Sequence, residues 1–201
     1  MIIHKNIEQR SLEWYKLRAS KFTGSDFYIV MGKKGTTRTN LILKKACERI
    51  NGYIEEETYT NKDIQRGIEL EPKARLLYEL KTNNKVEEIA FCELDDFTGC
   101  SPDGLVGNDG ILEIKSPKDT IYLERCITGE IPQEYMIQMQ FNMYVLNRKW
   151  CDFVNYNENF KDKPILIQRV ERDEEMIENI KVKLEEAKQE VNDIIEKFKK
   201  E

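Results

Sequence analysis

The segment from residue 101 to 115, S-P-D-G-L-V-G-N-D-G-I-L-E-I-K, constrains the fold of this chain more than any other. The Asn-Asp-Gly run in its middle predicts the turn of a β-hairpin. Residues two apart on a strand point to the same face, so Glu113 and Lys115 project together and Ile114 faces the other way. The turn folds Asp103 back beside them. The segment therefore predicts a hairpin on which two carboxylates and one ammonium converge.

Composition predicts a single domain over residues 1–201, since this length is enough to bury a proper core. Apolar residues make up 40% of the chain and charged residues 34%, and no run approaches 18 apolar residues, which excludes a membrane span. The N-terminus lacks the features of a signal peptide, so we expect a cytoplasmic protein. The net charge of −5 does not exclude DNA binding, because binding depends on local clusters of Lys and Arg.

The cysteine and histidine content argues against two kinds of site. The five cysteines are dispersed without a C-x-x-C pair, which predicts reduced, buried thiols and disfavours a zinc or iron–sulfur site. The only histidine is His4, near the terminus, so a histidine general base is not expected.

The remaining pattern predicts an α/β (α+β) fold in which helices flank a central mixed sheet. Capping and periodicity predict helices over residues 11–18, 23–30, 61–82, 118–128, 133–147 and 173–200. Short apolar runs predict strands over 88–94, 97–100, 111–115, 151–155 and 165–171. The basic, Gly/Thr-rich stretch 31–40 is interpreted as a surface loop or as an arm that touches nucleic-acid backbone. The long C-terminal helix packs either on its own domain or against another subunit.

Two polar residues lie on the predicted inward faces of helices. Glu71 belongs to the helix that Asn61 caps, beside Pro72, which would kink it. Gln140 interrupts an apolar stripe of the helix that Pro132 opens. A carboxylate in such a position requires a partner, because burying an unpaired charge is unfavourable.

Together these residues predict a metal-dependent site for phosphodiester hydrolysis. Two metal ions about 3.5–4 Å apart would activate water and stabilise the leaving oxygen. Asp103 would bridge the ions, and Glu113 with the carbonyl of Ile114 would complete one coordination shell, whereas Lys115 would orient the water or offset developing charge. Oxygen ligands favour Mg²⁺ or Mn²⁺. The alternative, a surface hairpin with an ordinary Glu–Lys pair, leaves Glu71 and Gln140 unexplained.

Several motifs, in order and spacing, resemble the phage lambda-type exonuclease (viral recombinase) family of the PD-(D/E)xK nuclease superfamily. The motifs that carry the resemblance are W-Y-K-L-R (14–18), T-G-S (23–25), R-G-I-E-L-E-P-K-A-R (66–75), S-P-D-G with L-E-I-K, E-Y-M-I-Q-M-Q-F-N-M-Y (134–144) and V-E-R-D-E (170–174). The resemblance covers most of the chain and implies a restriction-endonuclease-like core.

The resemblance also implies roles for individual residues. It implies that Asp103 and Glu113 bind metal, that Lys115 is the catalytic lysine, and that Glu71 and Gln140 complete the active site. Three further positions match those that hold a 5′-phosphate in the family, namely Arg18, Ser25 and Ser101. A guanidinium suits a terminal phosphate because it donates two hydrogen bonds at once.

The family resemblance implies a Mg²⁺-dependent 5′→3′ double-strand DNA exonuclease that leaves 3′ single-stranded overhangs. It further implies a ring-shaped homo-trimer, a single-strand annealing protein as partner, and the cytoplasm of a bacterial host as location. A RecB-like or Cas4-like nuclease is the alternative enzyme, although a Cas4-like protein usually carries cluster cysteines that are absent here. A non-catalytic DNA-end-binding scaffold is the alternative outside enzymes, and intact Asp103, Glu113 and Lys115 argue against it.

Overall fold

A computed structural model describes residues 1–52 and 62–200 of the chain. The helices are α1 (Leu12–Arg18), α2 (Gly24–Met31), α3 (Thr36–Asn51), α4 (Lys62–Thr82), α5 (Asp119–Thr128), α6 (Gln133–Leu146) and α7 (Glu174–Lys200). The strands are β1 (Ile2–His4), β2 (Val86–Glu87), β3 (Phe91–Asp95), β4 (Thr98–Cys100), β5 (Gly104–Val106), β6 (Gly110–Lys115), β7 (Trp150–Tyr156) and β8 (Ile165–Glu171).

The strands of the described residues form two sheets. The larger has the order β2-β5-β6-β7-β8 and is mixed, because β6 and β7 run parallel and the other pairs run antiparallel. Strands β1, β3 and β4 form a separate antiparallel sheet. The predicted central mixed sheet is therefore confirmed. Strands β3 and β4 were also predicted to belong to it, but they lie in the separate sheet.

Side chains alternate across β6 and give the large sheet two buried faces. Leu112 and Ile114 pack with Tyr78 of α4, whereas Ile111 packs with residues of α2, α6 and α7. The predicted opposition of Ile114 to Glu113 is confirmed, since Glu113 is contacted from α6. Helices on both faces leave β6 almost wholly buried, and its C-terminal end lies between α4 and α6.

The long C-terminal helix α7 packs on its own domain. Ile180, Leu184, Ala187 and Val191, spaced three to four residues apart along it, are all buried in the core that also contains Leu41 and Ile42 of α3. The sequence left open whether this helix packs on its own domain or against another subunit. Its apolar side packs on its own domain.

The stretch 31–40 is only partly a loop, so that prediction was wrong from Thr36 onward. Residues Thr36–Asn40 begin α3, and Arg38 is buried and donates a hydrogen bond to Glu190 of α7 at 2.5 Å. Thr, Gly and Asn are weak helix formers, but packing of the following apolar residues overrides that preference.

Smaller differences concern the ends of elements and the cysteines. Strand β3 begins at Phe91 rather than at residue 88, and Pro72 lies inside α4. The predicted cap Asn61 lies outside the described residues. Cys47 is exposed, so the thiols are not all buried as expected. In the part of the chain that the structure describes, no helix is long and apolar enough to cross a membrane.

Candidate active site

The predicted hairpin forms and presents Asp103 at its open end. Strands β5 and β6 pair with Gly104 opposite Leu112, and the connecting residue Gly107 adopts φ 55°, a left-handed conformation that glycine tolerates. The backbone N–H of Asp103 donates to the carbonyl of Leu112 at 3.1 Å. The Asp103 carboxylate accepts a hydrogen bond from the backbone N–H of Ile114 at 2.6 Å. These two bonds hold Asp103 beside the C-terminal end of β6.

Glu113 and Lys115 project from the same face of β6, as predicted. The Lys115 ammonium lies 2.6 Å from Glu113 Oε1, and Glu113 is only 1% exposed. Glu113 Oε2 is buried and has no hydrogen-bond partner among the residues that the structure describes. An unpaired buried carboxylate oxygen is unfavourable, so this atom is suited to a ligand that carries positive charge.

Helix α6 covers this pair with two side chains one turn apart. Gln138 Nε2 donates to Glu113 Oε1 at 2.7 Å. The Lys115 ammonium lies 5.1 Å from the centre of the Tyr135 ring, within the range of a cation–π contact. Gln138 therefore occupies the position that the sequence analysis assigned to Gln140.

Gln140 lies outside the cluster, so the prediction that it belongs to the active site was wrong. Its amide donates to the carbonyl of Glu171 at 2.8 Å and accepts from the N–H of Asp173 at 2.9 Å, so it anchors the start of α7. The apolar stripe misled the prediction because α6 is buried on nearly every side. A helix that is apolar all round gives no pattern that selects one face.

Glu71 reaches the same site from α4. It lines a cavity with Asp103, and its carboxylate is held by Arg75 at 2.6 Å and by Arg10 at 3.8 Å. These two guanidiniums provide the partners that a half-buried carboxylate requires. Glu71 therefore lies on the inward side of α4 beside Asp103, the position that its spacing on the helix predicted.

Burial and mutual repulsion shift the titration of these carboxylates. Burial raises the pKa of Glu113 from 4.5 to about 7; Asp103 and Glu71 add to this rise and Lys115 opposes it. Burial also raises the pKa of Asp103 and, with the nearby Asp103 charge, that of Glu71. Burial disfavours the charged form of Lys115, but Glu113 and Asp103 outweigh it and raise its pKa above the ordinary value.

The donor set fits a divalent metal bound by oxygen. Two carboxylates that repel each other in a buried site, one with an unpaired oxygen, are stabilised by a hard cation. Within residues 1–52 and 62–200 no group of three or more His, Cys, Asp or Glu side chains converges in a metal-binding arrangement. The oxygens that could hold such an ion are those of Asp103 and Glu113 together with the carbonyl of Ile114, the set that the sequence analysis predicts.

A second, smaller cavity of about 160 Å³ adjoins the carboxylates and contains Arg18, Ser25 and Ser101. The Arg18 guanidinium donates to the Ser101 hydroxyl and to the Thr23 hydroxyl, each at 3.4 Å. It lies 4.3 Å from the centre of the Trp14 ring, which fixes its plane. The structure thus gathers a guanidinium and three hydroxyls in one pocket.

Local structure holds this cavity in shape. Thr23 is the N-cap of α2, and the Asp26 carboxylate accepts a hydrogen bond from its backbone N–H at 3.0 Å. Lys45 of α3 lies 3.3 Å from the same carboxylate. Burial lowers the pKa of Arg18 and the Asp26 charge partly restores it, which leaves a desolvated cation that an anion would stabilise.

Three residues of the two sites were not singled out from the sequence. Thr23 and Trp14 lie inside the quoted motifs T-G-S and W-Y-K-L-R, and Gln138 lies two residues before Gln140 in Y-M-I-Q-M-Q-F. The motifs marked the right segments. Which side chain faces the cavity depended on how each helix packs.

Comparisons with known proteins show the family and the fold of this chain. The sequence model of the YqaJ-like viral recombinase domain family matches residues 13–149. This range includes Arg18, Glu71, Asp103, Glu113 and Lys115. This chain belongs to that family.

Solved structures resemble the whole fold. An alkaline exonuclease, LHK-Exo, from Laribacter hongkongensis is 35% identical, with a TM-score of 0.88 over 94% of this chain and 97% of the other. The same enzyme has been solved in complex with dAMP. A phage-related exonuclease from Haemophilus somnus, 19% identical over 89% of this chain and 96% of the other, shares the fold with a TM-score of 0.65.

A viral protein also matches in sequence. An uncharacterised protein, R354, of Acanthamoeba polyphaga mimivirus is 28% identical over 162 residues, or 73% of this chain. The match covers 29% of the length of that protein, so it relates one part of R354 to this chain.

Proposed function

We propose that this protein is a Mg²⁺-dependent DNA exonuclease that degrades the 5′-terminated strand of linear duplex DNA and leaves a 3′ single-stranded overhang. The observation that carries the proposal is the contact between two sites. The cluster of Asp103, Glu113 and Lys115 opens directly into the cavity that contains Arg18. Family membership and the likeness to an alkaline exonuclease support the same reaction class.

The metal would be held by Asp103, Glu113 and the carbonyl of Ile114. When bound, it would lower the pKa of water and stabilise the negative charge that develops on the phosphate. Lys115 would donate hydrogen bonds to the attacking water or to the phosphate oxygens, because its ammonium stays charged beside two carboxylates. Gln138 would hold Glu113 in position through the hydrogen bond to Oε1.

The proposed reaction is hydrolysis of the first phosphodiester from the 5′ end. The oxygen of water forms a bond to phosphorus, the P–O3′ bond of the terminal nucleotide breaks, and the 3′ oxygen takes a proton. The products are a nucleoside 5′-monophosphate and a strand shortened by one residue with a new 5′-phosphate. Each cycle thus regenerates the kind of end with which it began.

The choice of end would rest on the smaller cavity. Arg18, Ser25 and Ser101, together with Thr23, offer a desolvated guanidinium and hydroxyl donors to a terminal phosphate. A guanidinium fork binds phosphate with two parallel hydrogen bonds, so its affinity falls when the phosphate is absent.

The partners follow from the family resemblance and are part of the proposal. They are double-stranded DNA ends, a single-strand annealing protein and further copies of this chain in a trimer.

The test is digestion of a linear duplex that carries either a 5′-phosphate or a 5′-hydroxyl, with Mg²⁺ or with EDTA. We expect release of mononucleotides from the 5′ end in Mg²⁺ only, and faster release from the phosphorylated end. Arg18→Gln should reduce the rate on the phosphorylated end to that on the hydroxyl end. No Mg²⁺-dependent degradation would contradict the enzymatic function, and equal rates on both ends in the wild type would contradict the role of Arg18.

A matched variant separates chemistry from binding. Lys115→Ala should abolish cleavage. Its affinity for a labelled duplex in EDTA, measured by gel shift, should change little, because other cations remain at the site. A variant that cleaves normally would remove Lys115 from the mechanism.

A further inference from the structure

The carboxylates of the candidate active site lie between two cavities, and we propose that the larger one binds the DNA strand on the 3′ side of the scissile bond. Arg66 and Lys118 are inferred to be the residues that position its phosphates. This inference rests on the proposed function and assigns a route to the substrate strand.

The two cavities meet at the catalytic cluster. The smaller cavity, of about 160 Å³, contains Arg18, and the larger cavity, of about 490 Å³, lies on the side of α4 and α5 beside Glu71. Asp103 and Lys115 line both of them. Arg10 also borders both. A chain of nucleotides that enters one cavity and passes the carboxylates can therefore continue into the other.

The order of groups along the strand fixes which part occupies which cavity. If Arg18 holds the 5′-phosphate, the terminal nucleotide fills the smaller cavity. The next phosphate lies at Asp103 and is the one hydrolysed. The second and later nucleotides then extend into the larger cavity, which also contains Asp103 and Lys115.

The wall of the larger cavity has the charge that such a strand requires. Arg66 Nη1 lies 3.0 Å from Asp63 Oδ1 and Lys118 Nζ lies 3.0 Å from Asp63 Oδ2, so the three side chains together carry one positive charge. The side chain of Lys118 is 60% exposed and that of Arg66 is 32% exposed, so both are accessible to a phosphate of the DNA strand. Two cations held side by side by one carboxylate suit a phosphodiester backbone.

Arg66 also contacts the residue that follows strand β6. Its Nε donates to the carbonyl of Ser116 at 3.0 Å, immediately after Lys115. A substitution of Arg66 would disturb that segment as well as the charge, so Lys118 is the cleaner probe. Arg125 is a poorer candidate, because it is buried and donates to Asn155 at 2.6 Å.

The experiment pairs a variant with a modified substrate. Lys118→Gln is compared with wild type and with Lys149→Gln, a matched control in which an exposed lysine loses its ion pair with Asp109 near the opposite end of β6. The substrate is a 5′-phosphorylated duplex, either unmodified or with one neutral methylphosphonate replacing the first phosphate beyond the scissile one. Rates are measured as kcat/KM in Mg²⁺, and affinity in EDTA at several salt concentrations.

We expect the methylphosphonate to lower kcat/KM of the wild type and of Lys149→Gln several-fold. Lys118→Gln should lose a similar factor on the unmodified duplex and nothing further on the modified one, since both changes remove the same contact. In EDTA the slope of log K against log[salt] should become shallower by about 0.7–0.9 for Lys118→Gln, the value of one phosphate contact.

Two results would overturn the strand route. One is an equal loss on the modified duplex in Lys118→Gln and wild type, and the other is an unchanged salt slope. Failure of the wild type to hydrolyse the unmodified duplex in Mg²⁺ would instead contradict the proposed function itself. The two failures are therefore distinguishable in one set of measurements.

Discussion

Two glutamines on helix α6, two residues apart, contact different parts of the protein. Gln138 donates to the Glu113 carboxylate, whereas Gln140 bonds the backbone at Glu171 and Asp173 where α7 begins. Successive helical residues are about 100° apart, so a separation of two places them on nearly opposite faces. The same residue type on one helix turn thus contacts the candidate active site at one position and the start of α7 at the other.

This separation predicts different consequences for the two alanine variants. Gln138→Ala should lower kcat on a 5′-phosphorylated duplex at least about tenfold, roughly 1.4 kcal/mol, with a small change in melting temperature. Gln140→Ala should leave two backbone groups without their partner and cost about 1–3 kcal/mol of unfolding free energy, with kcat of the folded protein nearly unchanged. The reverse pattern would restore Gln140 to the active site.

The raised pKa of Glu113 predicts how stability depends on pH in the absence of metal. Between pH 4.5 and about 7 the folded protein retains a proton on Glu113 that the unfolded chain has lost, so stability falls as pH rises through this window. Glu113→Gln mimics the protonated form. At about pH 8 in EDTA its unfolding free energy should exceed that of wild type by up to roughly 3 kcal/mol, measured as a higher melting temperature. At about pH 5 the two melting temperatures should be about equal. A variant less stable than wild type at the higher pH would show that Glu113 is stabilised as an anion by Lys115.

At the scale of elements, helix α2 packs closely on α6 through a glycine. A Cβ on Gly24 would lie 2.6 Å from Asn142 Oδ1 and 3.1 Å from the carbonyl of Gln138. Because Gly24 lies between Thr23 and Ser25, this contact positions the Arg18 cavity relative to the carboxylates of the candidate active site.

Gly24→Ala should therefore destabilise the protein by about 1–3 kcal/mol, the usual range for overpacking. It should also reduce the preference for a 5′-phosphorylated end, since α2 must move away from α6. The matched control is Gly67→Ala in α4, where a Cβ would meet nothing within 4 Å and should stabilise the helix by about 0.5–1 kcal/mol. The two substitutions are compared by denaturant unfolding, and equal effects would show that packing on α6 does not constrain α2.

At the scale of the whole molecule, the site is assembled from both sides of the large sheet. Glu71 comes from α4, which covers one face, and Gln138 from α6, which covers the other. Asp103 and Glu113 meet at the end of the sheet between these layers. A cation bound there would connect strands and, through Glu113 and Gln138, a helix.

Mg²⁺ should therefore stabilise the folded protein globally. At a concentration of about 100 times Kd, binding to the native state alone adds roughly 2.7 kcal/mol. The rise in melting temperature on adding Mg²⁺ should be larger at about pH 8 than at about pH 6, because protons compete for Glu113 below its pKa of about 7. It should be absent in Asp103→Asn. A shift that is independent of pH would place the cation elsewhere.

Local patterns in the sequence were enough to predict the hairpin of β5 and β6, the shared face of Glu113 and Lys115, and most helices. These features depend on interactions within about ten residues: a turn, strand alternation and capping at Thr23. Helix α3 was missed because its first turn is made of weak helix formers, and contacts with α7 far along the chain stabilise it.

The sequence by itself determined which segments carry the chemistry and which reaction class their residues suit. Only the tertiary structure decided that Gln138 rather than Gln140 contacts Glu113, that β3 and β4 leave the central sheet, and that two cavities meet at Asp103. The physical reason is that a helix buried on nearly all sides, such as α6, has no polar face to orient it. Its rotation is set by packing against strands and helices distant in sequence, which no local pattern records.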